Sequence, residues 1–525
     1  MPKRLLELTR VNDSDPDSDE VSVRLVQDLE TKEPYVCLTH RWGPTTPGSR
    51  TLQANLAERL GERGTLWESL PKTFQEAAIV TLYLGVRYIW IDSLCIIQDS
   101  AEDWKQQSAL MCSIYNGARL TIAAAWADDC SRGLFRRPAP RSWEVAVPSA
   151  VGGDSPPRRY LFRRTPEHPV WDAKGAFMLQ KETPLLSRSW VFQERLLSRR
   201  VVYFTRYEVV FECGVESGLT NDRGVKCQCG TNEFGHYGGG GLGSGEGGMG
   251  WRPKGDHLAA LQVGKEFKGP GSDFAEISRY WHHMVSVYSG LDITKATDRL
   301  PAIGGIARQY GDAHAEHLGR YIAGTWENCL PHSLLWSCRG RPHGGDAPTH
   351  EAEYVGPTWS WISVRDQVDF STGVARVYKD DLEIVGHHVH AEKGADQYGA
   401  ILEGAALDCK AYLAPGTLEI EADDVDDARY RFIGAGECEQ RFEPDRPLSR
   451  YVSLGSQIFC MKTGYVWDGK HLCLILRRLE TGDKGGSEIG LGGTFERIGL
   501  VKNASKENIG AWFAGTSEKR TIRLV

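Results

Sequence analysis

Hydrophobic residues along the chain follow two periods, which predict different elements. The stretches "YVCL" at 35–38 and "YIWI" at 88–91 are continuously apolar, which is typical of strands buried on both faces of a parallel sheet. Between them, apolar and small residues in "LPKTFQEAAIVTLYLG" recur at helical spacing. Pro71 suits the first turn of this helix and Gly85 suits the position just past its end. The pattern predicts a β-α-β unit and therefore an α/β core.

The same pattern continues beyond the second strand. A helix is predicted in "DSAEDWKQQSALMCSIYNGA", where Ser100 is a good N-cap and Asp103 completes a capping box. A further buried strand is predicted in "RLTIAAAWA". Residues 136–184 are rich in proline and arginine and indicate an irregular insertion. A helix in "PLLSRSWVFQERLLS" follows, and then a β-hairpin that turns near Thr205–Tyr207.

The pattern divides the chain into four predicted parts. These are an α/β core at 1–215, a glycine-rich linker at 216–275, a helical segment packing on the core at 276–350, and a β-rich C-terminal domain at 351–525. The C-terminal part shows short alternating strands, which are typical of an antiparallel sheet. The polar, acidic run at 11–20 indicates a surface loop, so organised structure is expected to begin at Tyr35.

Composition narrows the class of protein. The 525 residues exceed one compact core, which agrees with several domains. A net charge of -7 and an isoelectric point near 6.1 argue against nucleic-acid or membrane-surface partners. The sequence has no apolar run of the roughly 20 residues that span a bilayer and no signal peptide, so a cytoplasmic location is expected. The 13 cysteines are then expected to be mostly free thiols.

Polar residues follow both strands of the predicted β-α-β unit. His40 and Arg41 come after the first strand, and Asp92, Ser93 and Cys95 come after the second. Because ligands bind at the carboxyl ends of parallel strands, we expect these residues to line one edge. His40 suits acid–base chemistry, Asp92 suits orienting it or binding a ribose hydroxyl, and Arg41 suits holding a phosphate or carboxylate. The alternative is that Asp92 and Ser93 only cap turns and that Cys95 only packs.

Three further groups are weaker candidates. Cys95 and His40 are chemically able to form a thiol dyad. Glu194 and Arg195 lie in a short helix crowded by aromatic residues, so they form either a structural ion pair or a site acid with its cation. The last group resembles zinc ligands only loosely, and free thiols are the preferred interpretation. Its members are Cys213, Cys227, Cys229 and His236.

The order of these segments resembles the fungal heterokaryon-incompatibility (HET) domain. The likeness runs through "YVCLTHRWG", the stretch from "LPKTFQEAAIV" to "DDCSRGLF", and "PLLSRSWVFQERLLSRRVVYF". It continues through "DRLPAIGGIA", "YIAGTWENCLPHSLLW" and "PTWSWISV". The resemblance implies a core remotely similar to Toll/interleukin-receptor (TIR) domains. The expected fold class is therefore α/β, with a TIR- or flavodoxin-like parallel-sheet core, helical insertions and a β-rich C-terminal domain.

The resemblance also implies a chemistry and exposes one departure from it. Some TIR domains cleave NAD, and a glutamate on a helix engages the ribose hydroxyls. The HET pattern places Asp-Trp, two variable residues and a glutamate in this position; here Trp104 is kept and Gln107 replaces the glutamate. An amide supplies neither charge nor a proton acceptor, so this copy is expected to have lost NAD cleavage or to serve another ligand. Arg41 is a second departure.

Three functions follow from this interpretation. The first is a HET-type incompatibility or cell-death protein with a small-molecule crevice lined by the residues named above. The second is an enzyme of fungal secondary metabolism that uses His40, Asp92 and Glu194 for acid–base chemistry. The third is a non-catalytic scaffold. NAD is the candidate substrate in the first case, no metal is expected, and a homo-oligomer is plausible because TIR-like sites often need assembly.

Overall fold

A computed structural model describes most of the chain. The described residues are 2–11, 21–30, 32–43, 48–136, 142–147, 158–163, 183–206, 209–213, 253–263, 272–339, 354–370, 376–377, 381–391, 396–421, 429–446, 448, 452–467, 470–479 and 492–525. The chain forms two compact units, Met1–Ala259 and Ala260–Val525. The helical segment predicted for 276–350 lies in the same unit as the β-rich region, and the four-part division stays a prediction.

The first unit contains nine strands and six helices among its described residues. The strands are β1 Arg4–Arg10, β2 Val21–Gln27, β3 Tyr35–Thr39, β4 Tyr88–Ile91, β5 Leu120–Ala123, β6 Ser142–Val147, β7 Arg158–Arg163, β8 Arg200–Phe204 and β9 Val209–Cys213. The helices are α1 Gln53–Leu60, α2 Lys72–Tyr83, α3 Asp92–Cys95, α4 Ala101–Gly117, α5 Ser189–Leu197 and α6 Pro253–Ala260, the last of which ends at the boundary. Strands β6 and β7 form a hairpin within the predicted insertion.

Seven of these strands form one sheet in the order β2-β1-β4-β3-β5-β8-β9. Strands β4, β3, β5 and β8 are parallel, which confirms the predicted parallel core. Strand β9 pairs antiparallel to β8 as the predicted hairpin. Every residue of β3 and β4 is buried, as their continuous apolar sequences require.

The expectation that organised structure begins at Tyr35 is wrong. Residues 4–10 and 21–27 pair as an antiparallel hairpin, and β1 joins the sheet beside β4. The side chain of Arg4 reaches over the sheet edge to Asp103 at the start of α4 and donates to it. Both residues are buried, so the first strand is fixed by a charge pair as well as by its apolar face.

Helix α4 begins as predicted, but its capping box is only half formed. The hydroxyl of Ser100 accepts a hydrogen bond from the amide of Asp103 at 3.2 Å. The carboxylate of Asp103 does not return to Ser100. It accepts from the amide of Ile97 at 2.9 Å and binds Arg4, because a buried cation is the stronger partner.

The strand order creates a switch point between β3 and β5. The connection from β3 to β4 runs one way along the sheet, and the connection from β4 to β5 returns past β3 to its other side. In open α/β sheets a crevice forms at the carboxyl ends of the strands where this reversal occurs. The expected ligand edge is therefore the one where His40 and Asp92 follow their strands.

The second unit is rich in antiparallel strands, as predicted. Its helices are α7 Ser272–Tyr288, α8 Pro301–Ala313, α9 Ala315–Leu318, α10 Leu330–Ser333 and α11 Lys506–Trp512. Its strands are β10 Tyr321–Ile322, β11 Thr325–Trp326, β12 Trp336–Cys338, β13 Val368–Phe370, β14 Arg376–Val377, β15 Leu382–His388, β16 Ala406–Ala411, β17 Leu413–Glu421, β18 Arg429–Ile433, β19 Glu439–Pro444, β20 Gln457–Trp467, β21 Lys470–Arg478, β22 Thr494–Ala504 and β23 Arg520–Leu524.

Six of these strands close into a ring in the order β17-β18-β19-β22-β21-β20. A buried cluster that includes Leu418, Phe432, Ile475 and Trp512 forms its core. Closure pairs both edges of every strand in the ring, which leaves these strands without a free edge. Among the described residues, no helix is long and apolar enough to cross a membrane.

Candidate functional site

The ends of β3 and β4 bring His40 and Asp92 together. Leu38 pairs with Ile91 in the parallel register, so the residues that follow these strands emerge at one edge. The Nδ1 atom of His40 lies 3.7 Å from Oδ1 of Asp92. The two strand tips singled out in the sequence therefore form one cluster.

His40 is held as a neutral imidazole. His40 is 4% exposed, and its ring packs edge-on against the ring of Phe74, with 4.8 Å between the ring centroids. Burial lowers the pKa of His40 to about 4, since the favourable charge of Asp92 does not offset desolvation and the nearby Arg188 opposes protonation. At neutral pH the ring is therefore a hydrogen-bonding group without charge.

Asp92 faces solvent more than its neighbours, with its side chain 26% exposed. Its Oδ2 accepts from the indole of Trp42 at 2.9 Å, and its Oδ1 accepts from the amide of Ser93 at 2.7 Å. The indole of Trp42 is itself 44% exposed. This arrangement presents a carboxylate and an aromatic face side by side at the edge of the sheet.

Glu194, on α5, is the buried acid of the cluster. The residue is 6% exposed, and burial together with the charge of Asp92 raises its pKa to about 7. The hydroxyls of Thr39 and Tyr115 face its carboxyl group and, with the charge of Arg188, pull the pKa the other way. Glu194 therefore changes protonation near neutral pH, which suits a proton donor or acceptor.

Arg195, next to Glu194 in sequence, has a different partner. Its guanidinium donates to both carboxylate oxygens of Glu212 on β9, at 3.0 and 2.9 Å. Tyr203 also donates to Glu212 and packs under the guanidinium. Of the two interpretations left open in the sequence, Arg195 therefore has the geometry of the structural ion pair and Glu194 that of the buried site acid.

Two residues of the cluster, Arg188 and Tyr115, were not singled out in the sequence. Arg188, just before α5, donates to the carbonyl of His40 at 3.0 Å, and its charge acts on both His40 and Glu194. Neither residue directly follows a strand end, which is the pattern that identified His40 and Asp92. Arg41, by contrast, is half-buried and donates to the carbonyl of Pro184 at 3.4 Å.

Helix α4 places Gln107 inward and Trp104 outward. Gln107 is buried, and its Oε1 has no hydrogen-bond partner among the described residues. Trp104 is partly exposed and lies edge-on to Trp190 at 6.3 Å between centroids. Trp190 and Glu194 are one turn apart on α5, so the tryptophan pair and the buried acid share a helix face.

Two buried polar atoms at this edge lack hydrogen-bond partners within the described part of the chain. They are Nδ1 of His40 and Oγ of Ser93. Leaving such a group unpaired costs about 1–3 kcal/mol, so clusters of them need a structural explanation. Cavities of about 430 Å³ and about 380 Å³ lie elsewhere in the described part of the molecule.

Cys95 lies in the core below this edge. Its thiol is fully buried, and burial raises its pKa to about 12. A thiol with this pKa is almost entirely protonated at neutral pH. The environment therefore opposes the nucleophilic role that the Cys95–His40 dyad would require.

Cys95 is expected to resist alkylation in the folded protein. With iodoacetamide at pH 8, we expect Cys95 to react at least about 100-fold more slowly than the partly exposed Cys438, because both thiolate fraction and access are lower. Peptide mass spectrometry over a time course measures both rates in one sample. Comparable rates would restore the dyad as a candidate.

The residues that loosely resemble zinc ligands lie mostly outside the described part of the chain. Cys227, Cys229 and His236 lie in the range 214–250, and only Cys213 of that group is described. Among the described residues, no cluster of histidine, cysteine, aspartate and glutamate has the arrangement of a metal site.

Comparison with known proteins identifies one region. The family model described as Heterokaryon incompatibility protein (HET) matches residues 35–194, from the first residue of β3 to Glu194. This match confirms the resemblance for that region, which contains His40, Asp92 and Glu194. No curated protein and no solved structure matches the chain.

Proposed function

We propose that this protein, which is of the heterokaryon-incompatibility type over residues 35–194, binds a small polar ligand at the carboxyl ends of β3 and β4. The observation that supports this most directly is the pair of unpaired buried atoms on His40 and Ser93, which lie at this edge. Hydroxyl or amide groups of a ligand would supply the missing hydrogen bonds. Burial without them costs stability, and such costs are typical of functional sites.

The strand order supports the same location. The four parallel strands run β4-β3-β5-β8, which corresponds to the start of the flavodoxin-like order with its switch point at the first strand. TIR domains have this kind of core, so the order agrees with the TIR-like fold implied by the resemblance. A ligand at the switch point, between β3 and β5, would meet His40 at the end of β3, and Asp92 lies 3.7 Å from His40.

Each residue has a distinct proposed role. Glu194 exchanges a proton with the ligand, since its pKa of about 7 populates both forms at neutral pH. Asp92 accepts hydrogen bonds from ligand hydroxyls, because its carboxylate is partly exposed. The neutral His40 orients the ligand. Arg188 and Arg41 supply positive charge for an anionic group.

A ribosyl nucleotide fits these groups best. Its hydroxyls match the Asp92 carboxylate, its base matches the exposed indole of Trp42, and its phosphates match the arginines. NAD belongs to this class. Gln107 supplies no charge, and Glu194 is buried and partly protonated at neutral pH, so neither provides the fully ionised carboxylate that NAD cleavage would need. The proposal is therefore binding without cleavage.

The test combines binding and turnover with one probe. We expect NAD to bind the full-length protein saturably in calorimetry, with no nicotinamide released over hours. Asp92→Asn is expected to weaken binding by about tenfold or more, because a charged acceptor is lost. Gln107→Glu tests whether the missing carboxylate alone prevents cleavage. Gln106→Glu is the matched control, since Gln106 is the exposed neighbour.

The test distinguishes the proposed ligand class from the proposed absence of cleavage. Nicotinamide release by the unaltered protein would overturn binding without cleavage. Absence of NAD binding at millimolar concentration would overturn the ribosyl ligand.

A second candidate is acid–base catalysis on another small molecule. Asp92 and Glu194 are two carboxyl groups in unlike surroundings, one accessible and one buried, which is an arrangement that enzymes use to divide acid and base roles. Failure of NAD to bind, together with turnover of a metabolite that depends on Glu194, would favour this candidate. Absence of both would favour the scaffold.

A further inference from the structure

The amino ends of the parallel strands, opposite the site described above, carry an apolar cavity of about 380 Å³. This volume is within the range of small-molecule pockets. Its floor is built from four strands and the loop that follows α2, and two arginines lie beside it. The lining residues are Val36, Leu84, Val86, Leu120, Val202, Phe211, Arg119 and Arg200.

The sheet registers place the apolar floor on one face. Val36 of β3 pairs with Leu120 of β5, and Val202 of β8 pairs with Phe211 of β9. Residues of β3 with the opposite parity face α4, as shown by the hydrogen bond from Tyr35 to the carbonyl of Ile114. Helix α2 ends at Tyr83, beside this floor.

Part of this face is uncovered. Leu84 and Phe211 are 47% and 42% exposed, and both line the cavity. A parallel sheet ordinarily has both faces covered. Exposed large apolar residues around a concave floor indicate a binding surface.

The polar groups of the cavity are both cations. Arg119 and Arg200 are exposed, and neither forms an ion pair with a described carboxylate. Arg200 donates weakly to the carbonyl of Arg119 at 3.5 Å, so its guanidinium lies beside Arg119, and both residues line the cavity. An apolar floor with two uncompensated guanidinium groups at its rim is complementary to an acyl chain that ends in an anionic group.

We propose that this cavity, the amino-edge cavity, binds a single-chain amphiphile with an anionic head. The chain lies on Val36, Leu120 and Val202, and the head is held by Arg119 and Arg200. This site is separate from the proposed nucleotide site and does not depend on it. A fatty acid and a single-chain phospholipid share this chemistry, so the experiment compares a carboxylate head with a phosphate head.

The test uses decanoate and decyl phosphate below their micelle concentrations, with calorimetry on the full-length protein. We expect saturable binding of one equivalent and about tenfold weaker binding for each pair of methylenes removed from the chain. The uncharged decyl maltoside is expected to bind at least about tenfold more weakly. Tighter binding of decanoate would identify the ligand as a fatty acid, and tighter binding of decyl phosphate would identify it as a single-chain phospholipid.

Variants locate the site. Arg119→Gln combined with Arg200→Gln is expected to weaken decanoate binding by about tenfold or more, whereas the exposed Arg159→Gln is the control. Leu84→Glu places a carboxylate in the apolar lining at an exposed position, so it is expected to reduce binding of an anionic amphiphile without unfolding the protein. Hydrogen exchange of peptides from β8 and β9 is expected to slow on decanoate binding.

Three results would overturn the proposal. Equal binding of decanoate and decyl maltoside would show a general apolar patch. Unchanged binding in both the double arginine variant and Leu84→Glu would place the amphiphile elsewhere. If the protein were a dimer that decanoate did not bind and did not dissociate, this face would be assigned to a second copy of the chain.

Discussion

Replacing Glu194 by glutamine is expected to stabilise the first unit by about 3 kcal/mol at pH 8 and by less than about 1 kcal/mol at pH 5. Burial raises the pKa of Glu194 from 4.5 to about 7, so the folded protein binds this proton more tightly than the unfolded chain. The contribution of Glu194 to stability is therefore fully present below pH 4.5 and declines as the pH rises to about 7. Glutamine resembles the protonated form at every pH.

His40 acts in the opposite direction. Its pKa falls from 6.5 to about 4 in the folded protein, so folding excludes a proton and stability is lost as the pH decreases from 6.5 to 4. The two contributions largely cancel between pH 4.5 and 6.5 in the unaltered protein. Removing Glu194 should therefore reveal a steeper rise of stability with pH over this interval.

Peptide-resolved hydrogen exchange in a urea series measures this effect in β3 and β5, without assuming that both units unfold together. The exposed Glu62→Gln is the control and is expected to change stability by less than about 0.5 kcal/mol. If Glu194→Gln were destabilising at pH 8, Glu194 would be an ionised structural group, and its proposed proton exchange would lose its basis.

Replacing Glu212 by glutamine is expected to destabilise the first unit by about 3–5 kcal/mol at neutral pH. Burial alone would raise the pKa of Glu212, but Arg195 outweighs it and holds the pKa below its ordinary value. The substitution leaves the buried guanidinium of Arg195 without its counter-charge. Hydrogen exchange of peptides from β8 and β9 in the same kind of urea series measures the loss of stability.

A matched pair controls for the loss of an ion pair as such. Glu144 and Arg159 are 3.1 Å apart with both side chains exposed, so Glu144→Gln is expected to cost at most about 1 kcal/mol. Combining Glu212→Leu with Arg195→Met should recover part of the loss, because no unpaired charge of the pair stays buried. An equal effect of Glu212→Gln and Glu144→Gln would contradict the argument.

The sequence was sufficient to predict the edge that carries the candidate site. Two continuous apolar strands joined by a helix had to be parallel, and polar residues directly followed both. Because carboxyl ends of parallel strands share an edge, the proximity of His40 and Asp92 followed from pattern alone. The N-cap at Ser100 was predicted for an equally local reason.

The features that the sequence did not predict depend on contacts between residues that are distant in sequence. The hairpin of β1 and β2 was missed because the acidic run between its strands indicated a loop, while the pairing of β1 with β4 is tertiary. The separate roles of Glu194 and Arg195 were undecided because Glu212 and Asp92, which distinguish them, come from other elements. Closure of the six-stranded ring likewise needs pairing of β20 with both β17 and β21.

The pairing of the first strand has a consequence for synthesis of the chain. Arg4 emerges from the ribosome 99 residues before its partner Asp103. At about 5–20 residues per second, the first hairpin waits roughly 5–20 s before α4 exists to receive it. During that time one edge of β1 is unpaired and available to other nascent chains. The earliest part of this unit to be made is thus among the last to be fixed, and growth temperature and translation speed should affect its yield more than its final stability.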